Sequence, residues 1–181
     1  MQPEKVSADD GLCEIIDLPT YQRARAGIAI VPQGRQIFPD FSVRDNILMG
    51  GFAHPQGKRR VPDLVPELFP FLRDNMDRQG GLLSGGRQQQ LAIARALASE
   101  PKVLLMDEPT EGIQPNIVEQ IEETILRLNA EFGLTIVLVE QNIRFCRRAA
   151  KRFHIFEKGR PVAGGPIGGL TEELVHKHLS V

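Results

Sequence analysis

The sequence predicts an α/β domain with a parallel sheet and a helical insert, and three observations carry that prediction. The runs "AGIAIVPQ", "KVLLM" and "LTIVLV" are continuously apolar, the pattern of parallel strands covered on both faces. Amphipathic helical stretches separate them, so strand, helix and strand alternate. Between the first run and the next helix, residues 52–81 are punctuated by proline and carry no strand pattern, which places a helical insert there.

Bulk properties narrow the field further. The chain has 181 residues, enough for one domain with a real core and too few for two comfortable ones. Hydrophobic residues make up 41% and charged residues 25%, and the net charge of −1 gives no overall pull toward nucleic acid or anionic lipid. The amino-terminal "MQPEKVSADDGL" is acidic and lacks the apolar segment of a signal peptide. No apolar run approaches the roughly 20 residues of a membrane span, so a membrane role would come through a partner. Cys13 and Cys146 are far apart with no CxxC spacing, and read as free thiols.

Taken in order, residues 1–19 are polar and loosely patterned. Ala26 to Gln33 is a buried strand stopped by Pro32. Ser42 is placed to cap a short helix ending at a glycine, and "LVPELFPFLRDNM" predicts one helix within an insert spanning 42–82. Ser84 opens a helix from Gly85 to about Ser99, with apolar residues at 91, 93, 94, 97 and 98. "KVLLM" follows as a strand buried on both faces. Asn116 to Phe132 is a helix with Ile117, Ile121, Ile125 and Leu128 on one stripe, ended by Gly133. "LTIVLV" is a third buried strand, and a short basic helix covers about 142–150. Residues 151–181 predict a hairpin turning at Lys158-Gly159 and a last helix opened by Thr171.

The chemistry concentrates in "LLSGGRQQQLAIARALASEPKVLLMDEPTEGIQP". An S-G-G turn alone is an ordinary helix cap. Its unpaired N–H groups at Gly85, Gly86 and Arg87, with the helix dipole and the Ser84 hydroxyl, also suit an anion. Asp107 and Glu108 close a buried parallel strand, the edge where open α/β sheets bind ligands. Asp107 suits the water shell of a magnesium ion, and Glu108 can polarise an attacking water. Gln33, after the first strand, could contact the metal or orient that water, and Gln141 follows the third strand on the same edge. The basic "RRAAKR" reads as a solvated helix face, and His176 and His178, with no third ligand, read as surface.

In this combination and order the residues resemble the ATP-binding cassette (ABC) ATPases, over the stretch from about Leu18 to the carboxyl terminus. Leu83-Ser84-Gly85-Gly86-Arg87-Gln88 is similar to the signature motif, Val103 to Glu108 to the Walker B strand with its catalytic glutamate, and Val31-Pro32-Gln33 to the Q-loop. Glu111 to Pro115 occupies the D-loop, with Gln114 where an aspartate is usual. Gln141 occupies the switch position, where a histidine is usual, and can only position by hydrogen bonds. "VPQGRQIFPDFSVRDNILMG" and "LVEQN" look like subunits importing branched-chain amino acids, amides and urea, and "DEPTEGIQPNIV" looks most like the urea-transporter subunit.

The resemblance implies a P-loop NTPase-like fold, with 83–150 as the signature, Walker B and switch core. It implies ATP and Mg2+ as cofactors, with Glu108 and Gln141 catalytic and Asp107 and Gln33 toward the metal. Gln33, Ser84, Gly85, Gly86 and Gln88 would contact nucleotide. It also implies a second ABC ATPase subunit and integral membrane permeases as partners. The expected location is peripheral, on the cytoplasmic face of the inner membrane. Phe69-Pro70-Phe71-Leu72 would help form the permease groove. A cassette acting on nucleic acid is disfavoured, since there is no coiled-coil insertion or basic stripe. One element is not found: no G-x-x-x-x-G-K-[ST] phosphate loop occurs. In the nearest approach, "GGFAHPQGKRR", the spacing is one residue too long and Arg59 stands where Ser or Thr belongs. The expectation is therefore a partial domain lacking the Walker A strand–loop–helix. Its donor surface would serve a partner's nucleotide, and it would have little ATPase activity by itself.

Overall fold

A computed structural model describes residues 15–178 of the chain. Three strands, β1 (Ile28–Val31), β2 (Val103–Asp107) and β3 (Thr135–Val139), form a wholly parallel sheet with β2 at its centre. Register aligns Val31 with Met106 and Asp107 with Val139. The carboxyl ends of all three strands therefore share one edge, and the loops holding Gln33, Glu108 and Gln141 leave from it.

Pairing also sorts the side chains by face. Ala29 and Val31, Leu104 and Met106, and Ile136 and Leu138 point to the covered side, where Val31, Leu104 and Met106 are fully buried. The opposite face carries Ile30, Leu105 and Val137, with Asp107 and Val139 next along. There Ile30 is 60% exposed, Val137 50% and Val139 54%. The expectation that β2 and β3 are buried on both faces is thus corrected. The helices pack on one face, and on the other Ile30, Val137 and Val139 stand exposed while Leu105 and Asp107 of the central strand are half-buried. A continuous apolar run does not itself say how many faces are covered.

The covering element is α5 (Gly85–Leu97), whose Leu91, Ile93, Ala94 and Leu97 are buried together with Ala98 just beyond its end. Helix α6 (Pro115–Ala130) adds the Ile117, Ile121, Ile125 and Leu128 stripe, all buried, and ends before Gly133 at φ 65°. Both apolar sets are those the periodicity selects.

The insert packs on α5 through α2 (Val43–Gly50), which Ser42 caps by accepting from the Asp45 N–H at 3.0 Å. At Gly50 a methyl group would fall 1.8 Å from the Arg95 carbonyl oxygen, so only glycine permits this crossing. The single helix expected over 64–76 is instead two, α3 (Leu64–Leu68) and α4 (Pro70–Arg73). Pro70 has no N–H and pushes Phe69 out of helical geometry, to φ −129° and ψ 71°.

A short α1 (Thr20–Arg25), in a stretch to which the sequence pattern assigns no element, precedes β1. After β3 come α7 (Ile143–Ala149), capped by Asn142, and the hairpin β4 (Arg152–Glu157) and β5 (Arg160–Pro166). Lys158 and Gly159 turn the hairpin with φ 48° and 77°, as the Lys-Gly pair predicts. Helix α8 (Glu172–His178) follows, its Leu174 N–H donating to the Thr171 hydroxyl. No described helix is long and apolar enough to cross a membrane. Most of the expected loose start, and Cys13 within it, lie outside the described residues.

Candidate functional site

Beyond β2 the chain turns sharply, with Glu108 in the left-handed region at φ 44° and its N–H donating to the Val139 carbonyl at 2.9 Å. Non-glycine residues adopt that conformation only where surrounding contacts impose it. The turn lifts the Glu108 carboxylate between two glutamines. The Gln33 amide donates to Glu108 Oε2 at 3.2 Å, and the Gln141 amide donates to Glu108 Oε1. A carboxylate only accepts, so both carboxamides present their NH2 groups to it and keep their oxygens free. The predicted trio Gln33, Glu108 and Gln141 is therefore assembled at the strand ends.

Two carboxylates that the sequence reading did not single out complete the arrangement. Glu111 Oε2 takes a second hydrogen bond from the Gln33 amide at 2.7 Å. Glu140 Oε2 accepts from the backbone N–H groups of Gln141 at 2.9 Å and Asn142 at 3.1 Å, while its Oε1 accepts from the Thr110 hydroxyl. Glu140 thus shapes the turn that presents Gln141 and ties it to the loop after Glu108. The signal for both was adjacency to a motif, and it carries no information about which way a side chain points.

Asp107 ends β2 on the uncovered sheet face, half-buried, and makes no side-chain hydrogen bond to Gln33 among the described residues. No group of three or more metal-ligating His, Cys, Asp or Glu side chains converges among those residues. The oxygen donors of Asp107 and Gln33 are of the kind a hydrated magnesium ion takes, so the strand edge fits the hydrolytic side of a nucleotide site. A triphosphate cradle does not fit at 51–59. Gly51 to Ala53 form one 3-10 turn, a methyl group on Gly51 would meet the Lys58 carbonyl oxygen at 2.7 Å, and Arg59 stacks on Phe52 at 4.6 Å.

The signature residues lie elsewhere, at the head of α5. Ser84 has the extended geometry of an N-cap, with φ −63° and ψ 157°, yet its side chain makes no capping hydrogen bond. Gly85 faces the Arg35 guanidinium, which lies 2.9 Å from where a methyl group would stand. Gly86 is required by packing: a methyl there would approach Ile117 Cγ2 to 2.5 Å. The Gln88 amide donates to the Gly80 carbonyl at 3.4 Å, a long contact that turns this side chain toward the insert. Arg87 stacks over Phe71 at 4.3 Å and donates to Gln90 and Gln120. No described hydrogen bond joins Ser84, Gly85, Gly86 or Gln88 to the Glu108 cluster.

The insert carries a groove of about 420 Å³ lined by Asp40, Phe41, Asp45, Leu48, Met49, Phe52 and Arg59. Phe52 is 58% exposed and Phe41 42%. Phe69 and Leu72, expected to line a groove, are instead buried in the core, because the break at Pro70 turns them inward. Half-buried Cys146 has its thiol pushed above the ordinary range, mainly by burial and then by the Glu140 carboxylate.

Comparison with known proteins places this geometry. The chain is 45% identical over 150 residues to the high-affinity branched-chain amino acid transport ATP-binding protein BraG of Pseudomonas aeruginosa, covering 82% of this chain and 64% of that one. It is 36% identical over 162 residues to the "Probable branched-chain amino acid transport ATP-binding protein LivF" of Archaeoglobus fulgidus, covering 88% of this chain and 68% of the relative. The chain thus spans about two thirds of the length of these relatives. Among solved structures, the dimeric ATP-binding cassette MJ0796 bound to ADP and Pi superposes with a TM-score of 0.69 at 25% identity, over 85% of this chain and 70% of that one. The family model described as "ABC transporter" matches residues 4–111, the stretch that builds β1, the insert, α5, β2 and the Glu108 turn, and the chain belongs to that family.

Proposed function

We propose that this chain serves as the ATP-binding component of a membrane importer for branched-chain amino acids, urea or related amides, lying against the cytoplasmic face of the inner membrane. The observation that carries this reading is the convergence of Gln33 and Gln141 on Glu108 at the strand ends. When bound, ATP supplies the phosphoryl group and Mg2+ the charge that offsets it. Asp107 and Gln33 would hold that ion through their side-chain oxygens. Glu108 polarises the attacking water and takes its proton on a carboxylate oxygen. Gln141 has no titratable nitrogen, so it orients the carboxylate and carries no proton.

Ser84 and the N–H groups of Gly85 and Gly86 would face nucleotide held by a second cassette subunit. The Ser84 side chain, which makes no capping hydrogen bond, supports that division. The groove between Phe41, Met49 and Phe52 has the apolar floor and mixed-charge rim that suit an amphipathic permease helix. Nucleic acid is not a partner on this reading.

A second reading rests on a specific observation, the Ser84 side chain at the head of α5 that makes no capping hydrogen bond. In it the chain donates only its signature face to a complete partner's nucleotide. Purified chain, alone and with its copurifying permease and partner subunit, separates the two in a phosphate-release assay. Turnover that appears in the assembly and falls when Glu108 is replaced supports the first reading. Turnover indifferent to Glu108 and lost with Ser84→Arg supports the second. Uptake of labelled leucine against labelled urea by reconstituted vesicles decides the solute.

A further inference from the structure

The loop carrying Gln33 is unusually contorted. Gly34, Arg35 and Gln36 adopt φ of 76°, 67° and 46° in succession, and two of the three are not glycine. Such a run persists only where contacts over-determine it. Within the loop there are two turn hydrogen bonds, Arg35 N–H to the Pro32 carbonyl at 3.2 Å and Gln36 N–H to the Gly34 carbonyl at 2.7 Å. The remaining constraint arrives from the signature helix. Arg95 on α5 donates from Nη1 to the Gln36 carbonyl at 2.6 Å and from Nη2 to the Arg35 carbonyl at 3.2 Å. Its guanidinium also lies 5.4 Å from the Phe38 ring centroid. One planar fork therefore holds both non-glycine residues of the turn by their carbonyls, which a lysine ammonium cannot do in the same geometry.

We propose that Arg95 is a positioning residue that sets the Gln33 loop against Glu108 and couples it to the head of α5. The chain of contacts is continuous. Arg95 fixes the Arg35 backbone, the Arg35 side chain lies on Gly85 at the start of α5, and Gln33, two residues earlier, reaches Glu108 and Glu111. Burial holds the Arg95 guanidinium below its ordinary pKa, and the two carbonyls and the Phe38 ring are the partners that face it. Displacement of α5 would thereby move Gln33, one of the two carboxamides that donate to Glu108. This inference rests on the hydrolytic reading of the Gln33–Glu108 pair.

The test uses Arg95→Gln and Arg95→Lys in the full chain, with two readouts. Amide hydrogen exchange on the chain by itself should accelerate about tenfold or more at Arg35 and Gln36 in R95Q, while amides of β2 and α6 keep their protection. In the assembled ATPase, R95Q should lower kcat about tenfold or more with KM held within about twofold, and R95K should recover part of that loss. Uniform loss of protection, or a lowered Tm with kcat unchanged, would reduce Arg95 to a packing residue and overturn the proposal. If R95Q does not fold, R95K carries both readouts, with smaller shifts in the same direction expected. Wild-type assembly without turnover sinks the hydrolytic reading, and the exchange measurement then judges the clamp by itself.

Discussion

The two faces of the central sheet are written in similar residues and meet different surroundings. On one, Leu104 and Met106 are at 0% and 1% exposure beneath the helices. On the other, Val137 and Val139 stand half open. The signature helix belongs to the first side, so its head is fixed by packing before any ligand arrives. The Glu108 cluster hangs from the strand ends and is held by hydrogen bonds between half-exposed and exposed side chains, each worth about 1 kcal/mol. The difference teaches that damage to the packed side should appear as lost stability. Damage to the strand edge should appear as lost chemistry in a protein that still folds.

The largest effect should come from Gly50→Ala. Its new methyl would stand 1.8 Å from the Arg95 carbonyl oxygen, backbone against backbone, where no side chain can give way. A loss of about 3 kcal/mol is expected, lowering Tm by roughly 6–12 °C in thermal unfolding. An unchanged melt would mean that α2 and α5 do not cross so closely. Next comes Glu108→Gln, which keeps the shape and both glutamine neighbours but removes the base. Turnover of the assembled ATPase should fall about a hundredfold or more, equivalent to roughly 2.7 kcal/mol, with little change in Tm. A large loss of stability instead would place Glu108 with the packed side.

How much of this was legible in the sequence follows the same division. Periodicity located the stripe of α6 and the buried set of α5, because both report one covered face. It could not report that the second face is exposed along β3 and only half-buried along β2, since an apolar run looks the same either way. Motif order located Gln33, Glu108 and Gln141. It did not reveal Glu111 and Glu140, whose roles depend on side-chain direction, or Arg95, whose partners are 59 and 60 residues away in sequence. The Gly85-Gly86 pair reads as one anion-binding device, and the structure adds a second demand on Gly86, close packing against Ile117, that the sequence does not show. The helix over 64–76 failed at Pro70, where a propensity reading undervalued the residue before proline.

Smaller effects sharpen the comparison. Ser42→Ala removes the acceptor for the Asp45 N–H and should cost about 1 kcal/mol, read as a lower urea midpoint with unchanged m-value. On the packed side, Glu100 receives hydrogen bonds from His54 first and Arg60 second, which hold its carboxyl below the ordinary 4.5. A depressed carboxylate stabilises the fold above its unfolded pKa, and that contribution disappears as pH falls through the lower folded value. The Tm gap between wild type and Glu100→Gln should therefore be full near neutrality and close on acidification below 4.5. Because the Glu100 side chain is 37% exposed, solvent screening keeps this gap small. A gap that persists unchanged into acid would assign the tie to packing and not to charge.

The smallest effect tests the open face directly. Val139 is 54% exposed, so Val139→Ser surrenders little buried area and should cost about 0.5 kcal/mol in the isolated chain. Leu104→Ala, on the covered face of the neighbouring strand, should cost about 3 kcal/mol. The substitution leaves the Val139 carbonyl in place to receive the Glu108 N–H, so the turn that lifts the carboxylate is not disturbed. Urea denaturation of the two variants side by side measures the contrast between faces without touching the site. If the two losses proved equal, the outer face would be packed in solution as tightly as the inner one, and the division between stability and chemistry would no longer follow the faces of the sheet.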